Sequence, residues 1–262
     1  MFLCFQTDLL LGISTDPRLL LFIFCATVAA YNFHYCTGLG HRCRWKLKLR
    51  DWSHLSHFRL FLLFSLLTIL FFLSFGLPVI PLIFSVFLTL SYSVPLLPLG
   101  VAVKLRKFGF VKTALLAFAW AWVTVTLPVA GAAVKIQLPV TALVFLQRFL
   151  FVFILCLIFD ERDSESDTLA GIHSLATAYS RAIIRRILFG AAGILFLFNC
   201  LMGPFVGSRQ LLAMQVTLLV TCVVCFLSTN RKGFLFYYVL VDGLMIFSAS
   251  MCFLAAKCVN LH

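Results

Sequence analysis

Leu138 to Phe159 reads LPVTALVFLQRFLFVFILCLIF, and Asp160 to Asp167 continues at once with DERDSESD. The first stretch is long and apolar enough to cross a bilayer core as a helix, which takes about 20 residues. The second holds five of the chain's nine acidic residues within eight positions: Asp160, Glu161, Asp163, Glu165 and Asp167. Carboxylates packed at the mouth of a hydrophobic segment are costly unless water solvates them or a cation offsets them. Two readings follow: a solvated loop, or a site that holds a divalent cation at the membrane surface.

Runs like 138–159 recur along the chain. Spans are expected near 18–36, 58–76, 78–98, 112–130, 138–159, 183–203, 210–228 and 234–256. The longest polar stretches between them are 39–57 and 160–182. With 63% hydrophobic residues, 11% charged residues and a mean hydropathy of +1.08, no soluble exterior could cover this chain. The runs lack the two-residue alternation of barrel strands. The expected fold class is therefore all-α, a polytopic transmembrane helical bundle of eight full spans in one domain over 1–262.

The net charge of +12 would suit nucleic acid if it were spread evenly, and it is not. With eight spans, sixteen of the 21 Lys and Arg residues fall on one side and four (Arg18, Lys135, Arg209 and Lys257) on the other, with Arg148 inside a span. That asymmetry is the positive-inside pattern, and it puts the acidic segment on the cytoplasmic side. The expected location is a bacterial inner (plasma) membrane, with membrane lipids as partners and no nucleic acid. The basic run Arg42–Arg50 is a topology signal, suited to anionic lipid.

Residues 1–12 are apolar but too short to cross, with no basic region of the kind that opens a signal peptide. They read as the second half of a clipped first helix. Ser14-Thr15-Asp16-Pro17 then reads as a turn and N-cap opening the first full span. The ten cysteines are scattered and form no disulfide framework. Cys222 and Cys225 make a C-x-x-C inside a span, where the simpler reading is small apolar residues in a helix.

On a helix, Asp160, Asp163 and Asp167 stand at i, i+3 and i+7 and face one way. A hard cation such as Mg²⁺ is held by carboxylate oxygens together with substrate phosphates. The wider pattern is Asp160-x-x-Asp163-x-x-x-Asp167-x-x-x-Gly171-Ile172-His173-Ser174-Leu175-Ala176. It resembles the second aspartate motif of the UbiA-type intramembrane prenyltransferases. In that family the motif follows the sixth of nine helices on the cytoplasmic side; here it follows the fifth full span, or the sixth if 1–12 is a clipped helix. Leu90-Ser91-Tyr92-Ser93-Val94-Pro95, followed by Lys104, Arg106 and Lys107, is similar to the family's tyrosine-proline segment and basic loop.

The resemblance implies transfer of a prenyl group from a prenyl diphosphate, or another isoprenoid lipid, to an acceptor that is usually aromatic. It implies Mg²⁺ as cofactor on Asp160, Asp163 and Asp167, with Asp163 and Asp167 as the catalytic pair. It implies diphosphate contacts from Asn32, Tyr92, Lys104, Arg106 and Lys107. The chain departs from the family at the first aspartate motif. Asn32 matches its asparagine, but Phe33, Cys36 and Gly40 stand where the family has aspartates. His34 and His41 could supply only imidazole, which Mg²⁺ takes less readily than anionic or water oxygen. A transferase with weak or lost activity and a non-catalytic relative with a lipid or isoprenoid cavity are the two readings. A transporter should show repeated halves with broken helices, and no convincing repeat is present. Arg148 and Gln147, costly inside a span, are expected to line a cavity or, for Arg148, to pair with the acidic segment. Asp242 is a further cavity candidate.

Overall fold

Every element is helical, and no strand occurs among the described residues. The structure, a computed structural model, describes residues 1–37, 52–75, 79–93, 109–132, 137–170, 174–228, 233 and 235–257. α1 is Phe2–Leu11 and stops at Gly12, whose φ of 64° is the left-handed turn that ends a helix. α2, Pro17–Thr37, opens with proline in its first turn, and Asp16 Oδ1 accepts the Arg18 N–H at 2.9 Å. α3 is Trp52–Phe75 and α4 is Val79–Ser93. α5, Gly109–Ala121, passes through a π-helical turn at Trp122–Thr126 into α6, Leu127–Gly131.

α7, Leu138–Ala170, is the longest helix at 33 residues. α8, Leu175–Ala178, is a single turn closed by a Ser174–Thr177 capping box. α9, Arg181–Val206, and α10, Ser208–Leu227, are joined by Gly207 alone, whose φ of 78° lets the chain reverse there. A second π-helical turn, Phe236–Val241, leads into α11, Asp242–Lys257.

Six helical segments are long and apolar enough to cross a membrane: Leu55–Ser74, Phe110–Gly131, Leu138–Glu165, Arg181–Val206, Ser208–Leu227 and Phe236–Lys257. The protein is a multi-pass integral membrane protein. The expected spans at 18–36 and 78–98 overlap α2 and α4, whose apolar stretches are shorter than the six above, and residues 94–98 lie outside the described residues.

α7 is the central helix. Phe151, Val152, Ile154, Leu155, Leu157 and Ile158 are all buried, against α5 on one side and α9 on the other. α3 is peripheral: no residue of its apolar window is buried, and it packs on α2. α1 lies inside the bundle against α11 and the first π turn, with Gln6 and Thr7 buried.

The contacts sort into two ends. Asn32–His57, Thr113–Asp160, Glu161–Arg181, Arg185–Ser228 and Arg162–Tyr237 gather at one end. Leu19–Gly131 and Gln210–Cys252 gather at the other. The acidic segment does not form a loop over 160–170. α7 runs on through it to Ala170, so Asp160, Asp163 and Asp167 do lie on one helix. The loop reading fails there, because the segment is helical, with Asp160 held by Thr113 and Glu161 by Arg181 from neighbouring helices.

Candidate functional site

A cleft of about 170 Å³ opens beside α7 at the end where the acidic segment lies, lined by Lys112, Thr113, Leu116, Cys156, Phe159, Asp160 and Asp163. α5 supplies Lys112 and Thr113 from its first turn. α7 supplies Cys156, Asp160 and Asp163, at spacings of four and three that keep them on one face. Thr113 Oγ1 donates to Asp160 Oδ2 at 2.5 Å.

Asp163 is held from its own helix. Arg162 Nε donates to Asp163 Oδ1 at 2.6 Å and Nη2 to Oδ2 at 2.8 Å, a bidentate pair. The Arg162 guanidinium lies 4.9 Å from the Phe159 ring centroid, 5.2 Å from Tyr237 and 5.0 Å from Tyr238. Phe159 is one turn back on α7, the spacing that stacks side chains on a helix. Tyr237 and Tyr238 are adjacent in sequence, and both reach the cation from the second π turn. The wider i→i+5 turn reduces the angle between successive side chains. Each ring contact is worth about 0.5–2 kcal/mol depending on desolvation, so the three together fix the arginine's direction.

Asp167 lies further along the same face. Burial pushes its carboxyl above the ordinary range; the charge of Lys112 and a hydrogen bond with Ser174 oppose this, and the charge of Asp163 adds to it. Asp242, at the start of α11, lies within electrostatic reach of Arg162. Tyr31 of α2 is within reach of Asp242 and Cys156. Glu161 points away from the cleft, into the contact with α9, where Arg181 Nε binds its Oε1 at 2.6 Å.

The cleft is lined by two carboxylates, Asp160 and Asp163, and one cation, Lys112; Asp167 lies within electrostatic reach of Lys112 and Asp163, and Asp242 within reach of Arg162. An excess of negative charge around hard oxygen donors is the right chemistry for a divalent metal. In this arrangement, however, no three His, Cys, Asp or Glu side chains converge as a metal set among the described residues. Both oxygens of Asp163 already face Arg162.

Asn32 is occupied elsewhere. Its Nδ2 donates to Val28 O at 2.8 Å, and its Oδ1 lies 2.8 Å from His57 Nδ1. It ties α2 to α3, with Tyr35 stacked on the His57 ring. Arg148 does not pair with the acidic segment, which corrects that expectation. It is fully buried at mid-helix, and Nη2 donates to Thr7 Oγ1 at 3.3 Å. Cys222 and Cys225 are free thiols on α10. Tyr92 sits in the last turn of α4. Lys104, Arg106, Lys107, Gly171, Ile172 and His173 lie outside the described residues.

Sequence reasoning missed Lys112 and Thr113 as cleft residues, and the cage around Arg162. Lys112 carried a signal, being a cation at the start of a span; the tyrosines, 75 and 76 residues beyond Arg162, carried none. No family model, no curated protein and no solved structure matches the chain.

Proposed function

We propose that the chain is a divergent UbiA-like membrane protein whose cleft binds the head of a prenyl diphosphate or related isoprenoid lipid, with prenyl transfer slow or absent. Asp160, Asp163 and Asp167 would hold Mg²⁺, and Lys112 would meet diphosphate oxygens alongside Lys104, Arg106 and Lys107. Mg²⁺, when bound, would neutralise the diphosphate and help it depart. The observation that carries this reading is the placement of Lys112 in one cleft with Asp160 and Asp163, at the end of an apolar bundle. A phosphate head needs a direct cation next to a metal site, and an isoprenoid tail needs apolar helices.

Slow or absent transfer follows from the ligand count. The carboxylates of a first motif are missing at Phe33, Cys36 and Gly40. Losing one metal's stabilisation of a leaving group, about 3–4 kcal/mol, slows ionisation by roughly 10²- to 10³-fold. One further observation favours a non-catalytic lipid-binding role: Asp163 is closed by Arg162. We read the end that carries the cleft as cytoplasmic, from the sixteen-to-four charge split over eight spans.

The test is binding of a radiolabelled prenyl diphosphate to the purified chain with and without Mg²⁺, beside Asp163→Ala, Asp167→Ala and Lys112→Ala. The expected result is weak binding that needs Mg²⁺ and drops at least tenfold in each variant. Binding indifferent to all three substitutions would remove the diphosphate reading. Rapid transfer to an aromatic acceptor would remove the slow-transfer reading.

A further inference from the structure

We propose that Arg148 holds a small monovalent anion, of the halide class, inside the bundle between α1, α7 and α11. The site is separate from the cleft and does not depend on how the cleft is read.

Arg148 lies in mid-helix, about 18 Å along α7 from Asp160. Its side chain is fully buried. Nη2 donates to Thr7 Oγ1 at 3.3 Å, while Nε and Nη1 have no partner among the described residues. An ion buried at membrane depth persists only where an opposite charge or a full set of hydrogen bonds offsets it. Among the described residues no carboxylate does so. The ionisable groups close enough to act on the guanidinium are two thiols, Cys4 of α1 and Cys252 of α11. Asp8, which follows Thr7 on α1, is hydrogen-bonded to Thr15 and neighbours Asp16.

The surrounding polar groups add donors. Gln6 Nε2 donates to Ser248 Oγ at 2.8 Å and to Cys252 Sγ at 3.2 Å. Both acceptors therefore keep a proton of their own to give. A fixed positive charge among O–H and S–H donors, closed to solvent, is complementary to an anion. One guanidinium matches one negative charge, and a multivalent anion such as phosphate would leave surplus charge buried. Complete burial restricts the occupant to about the size of one atom. The anion then finishes the polar contacts that hold α1 in the bundle, beside Thr7 to Thr124 and Gln6 to Ser248.

The experiment uses the full chain purified in detergent, with chloride replaced by gluconate at constant ionic strength. The wild-type unfolding midpoint should rise with the logarithm of chloride concentration once the site fills. The protein should also broaden the chloride NMR line, and bromide should reverse the broadening. Arg148→Met should lose both responses, and in gluconate it should unfold no earlier than the wild type. Arg148→Lys keeps the charge with fewer donors and should weaken chloride binding at least tenfold. The Cys4→Ala, Cys252→Ala double variant should keep the chloride response. A wild-type midpoint equal in chloride and gluconate overturns the proposal, as does a chloride response that survives Arg148→Met. A midpoint indifferent to chloride but lowered in the double cysteine variant also overturns it, and makes a thiolate the counter-ion instead.

Discussion

Arg148 and Arg162 both belong to α7 and lie in opposite environments. Arg162 has two carboxylate bonds and three rings. Arg148 is fully buried, and its Nε and Nη1 have no partner among the described residues. A buried donor without a partner costs about 1–3 kcal/mol, and a well-packed apolar side chain is often better there than an ion. Arg148→Met is thus expected to leave the thermal unfolding midpoint in halide-free detergent unchanged or higher. Thr7→Val is expected to destabilise by about 1–3 kcal/mol. Its hydroxyl accepts from Arg148 and donates to Thr124 O at 2.8 Å, so the change leaves two buried groups unsatisfied. The opposite ordering would mean that Arg148 has an unseen ligand. The cost of Arg148 was legible in the sequence, but its partner was not. The twelve residues separating it from Asp160 span about 18 Å along a helix, and that distance rules out the pairing with the acidic segment. Asp167 gives a pH test. Its carboxyl is raised by burial, so the folded protein binds its proton more tightly than the unfolded chain. That contribution is fully present below the ordinary carboxylate value of about 4 and is lost as pH rises through the raised one. The unfolding midpoint should fall over that window, and Asp167→Asn should remove this part of the fall. An unchanged pH profile in the variant would show that Asp167 is not the group concerned.

At the scale of elements, α7 shows what sequence pattern can and cannot reveal. The i, i+3, i+7 spacing of Asp160, Asp163 and Asp167 described the face correctly, because a helical period is local information. The segment's polarity suggested a loop, because polarity does not report the partners that hold a helix together. Thr113 holds Asp160, and Arg181 holds Glu161, from α5 and from the start of α9. The π turns were likewise invisible. Thr124, in the Trp122–Thr126 turn, offers its carbonyl to Thr7, and Tyr237 and Tyr238, in the Phe236–Val241 turn, both meet one cation. Both depend on side chains far away in sequence. The helical extension can be tested at Glu165, which is exposed. Proline there removes the hydrogen bond to the residue 161 carbonyl and clashes with it, at about 3 kcal/mol. Glu165→Pro should speed amide hydrogen exchange over 166–170 and leave 150–158, inside the core, unchanged. Protection retained at 166–170 would mean that the extension is held by its packing and not by its own backbone.

For the whole molecule, the arrangement of helix ends makes the topology testable without relying on the complete span count. Ser166 sits on the α7 extension at the end with the cleft, and α9, α10 and α11 follow it. All three are long and apolar enough to cross. An odd number of crossings puts the chain after Lys257 on the opposite side, so reporter fusions at Ser166 and His262 should report opposite compartments. Asp51 decides a harder point. Asn32 and His57, at the ends of α2 and α3, form a pair that lies with Tyr31 toward Asp242 and Cys156. That places the start of α3 at the end with the cleft. Between it and Ser166 come α3, α4, the α5–α6 unit and α7. Four crossings return the chain to the same side, and three do not. α4 is the doubtful member: its 15 residues rise only about 22 Å, against a hydrocarbon core of about 30 Å. Lys112, at the start of α5, lies at the end with the cleft, the same end as the start of α3, and the expected crossing by α4 accounts for that return. Fusions at Asp51 and Ser166 should therefore report the same compartment, and a reporter at Asp51 that sides with His262 would remove α4 from the spans.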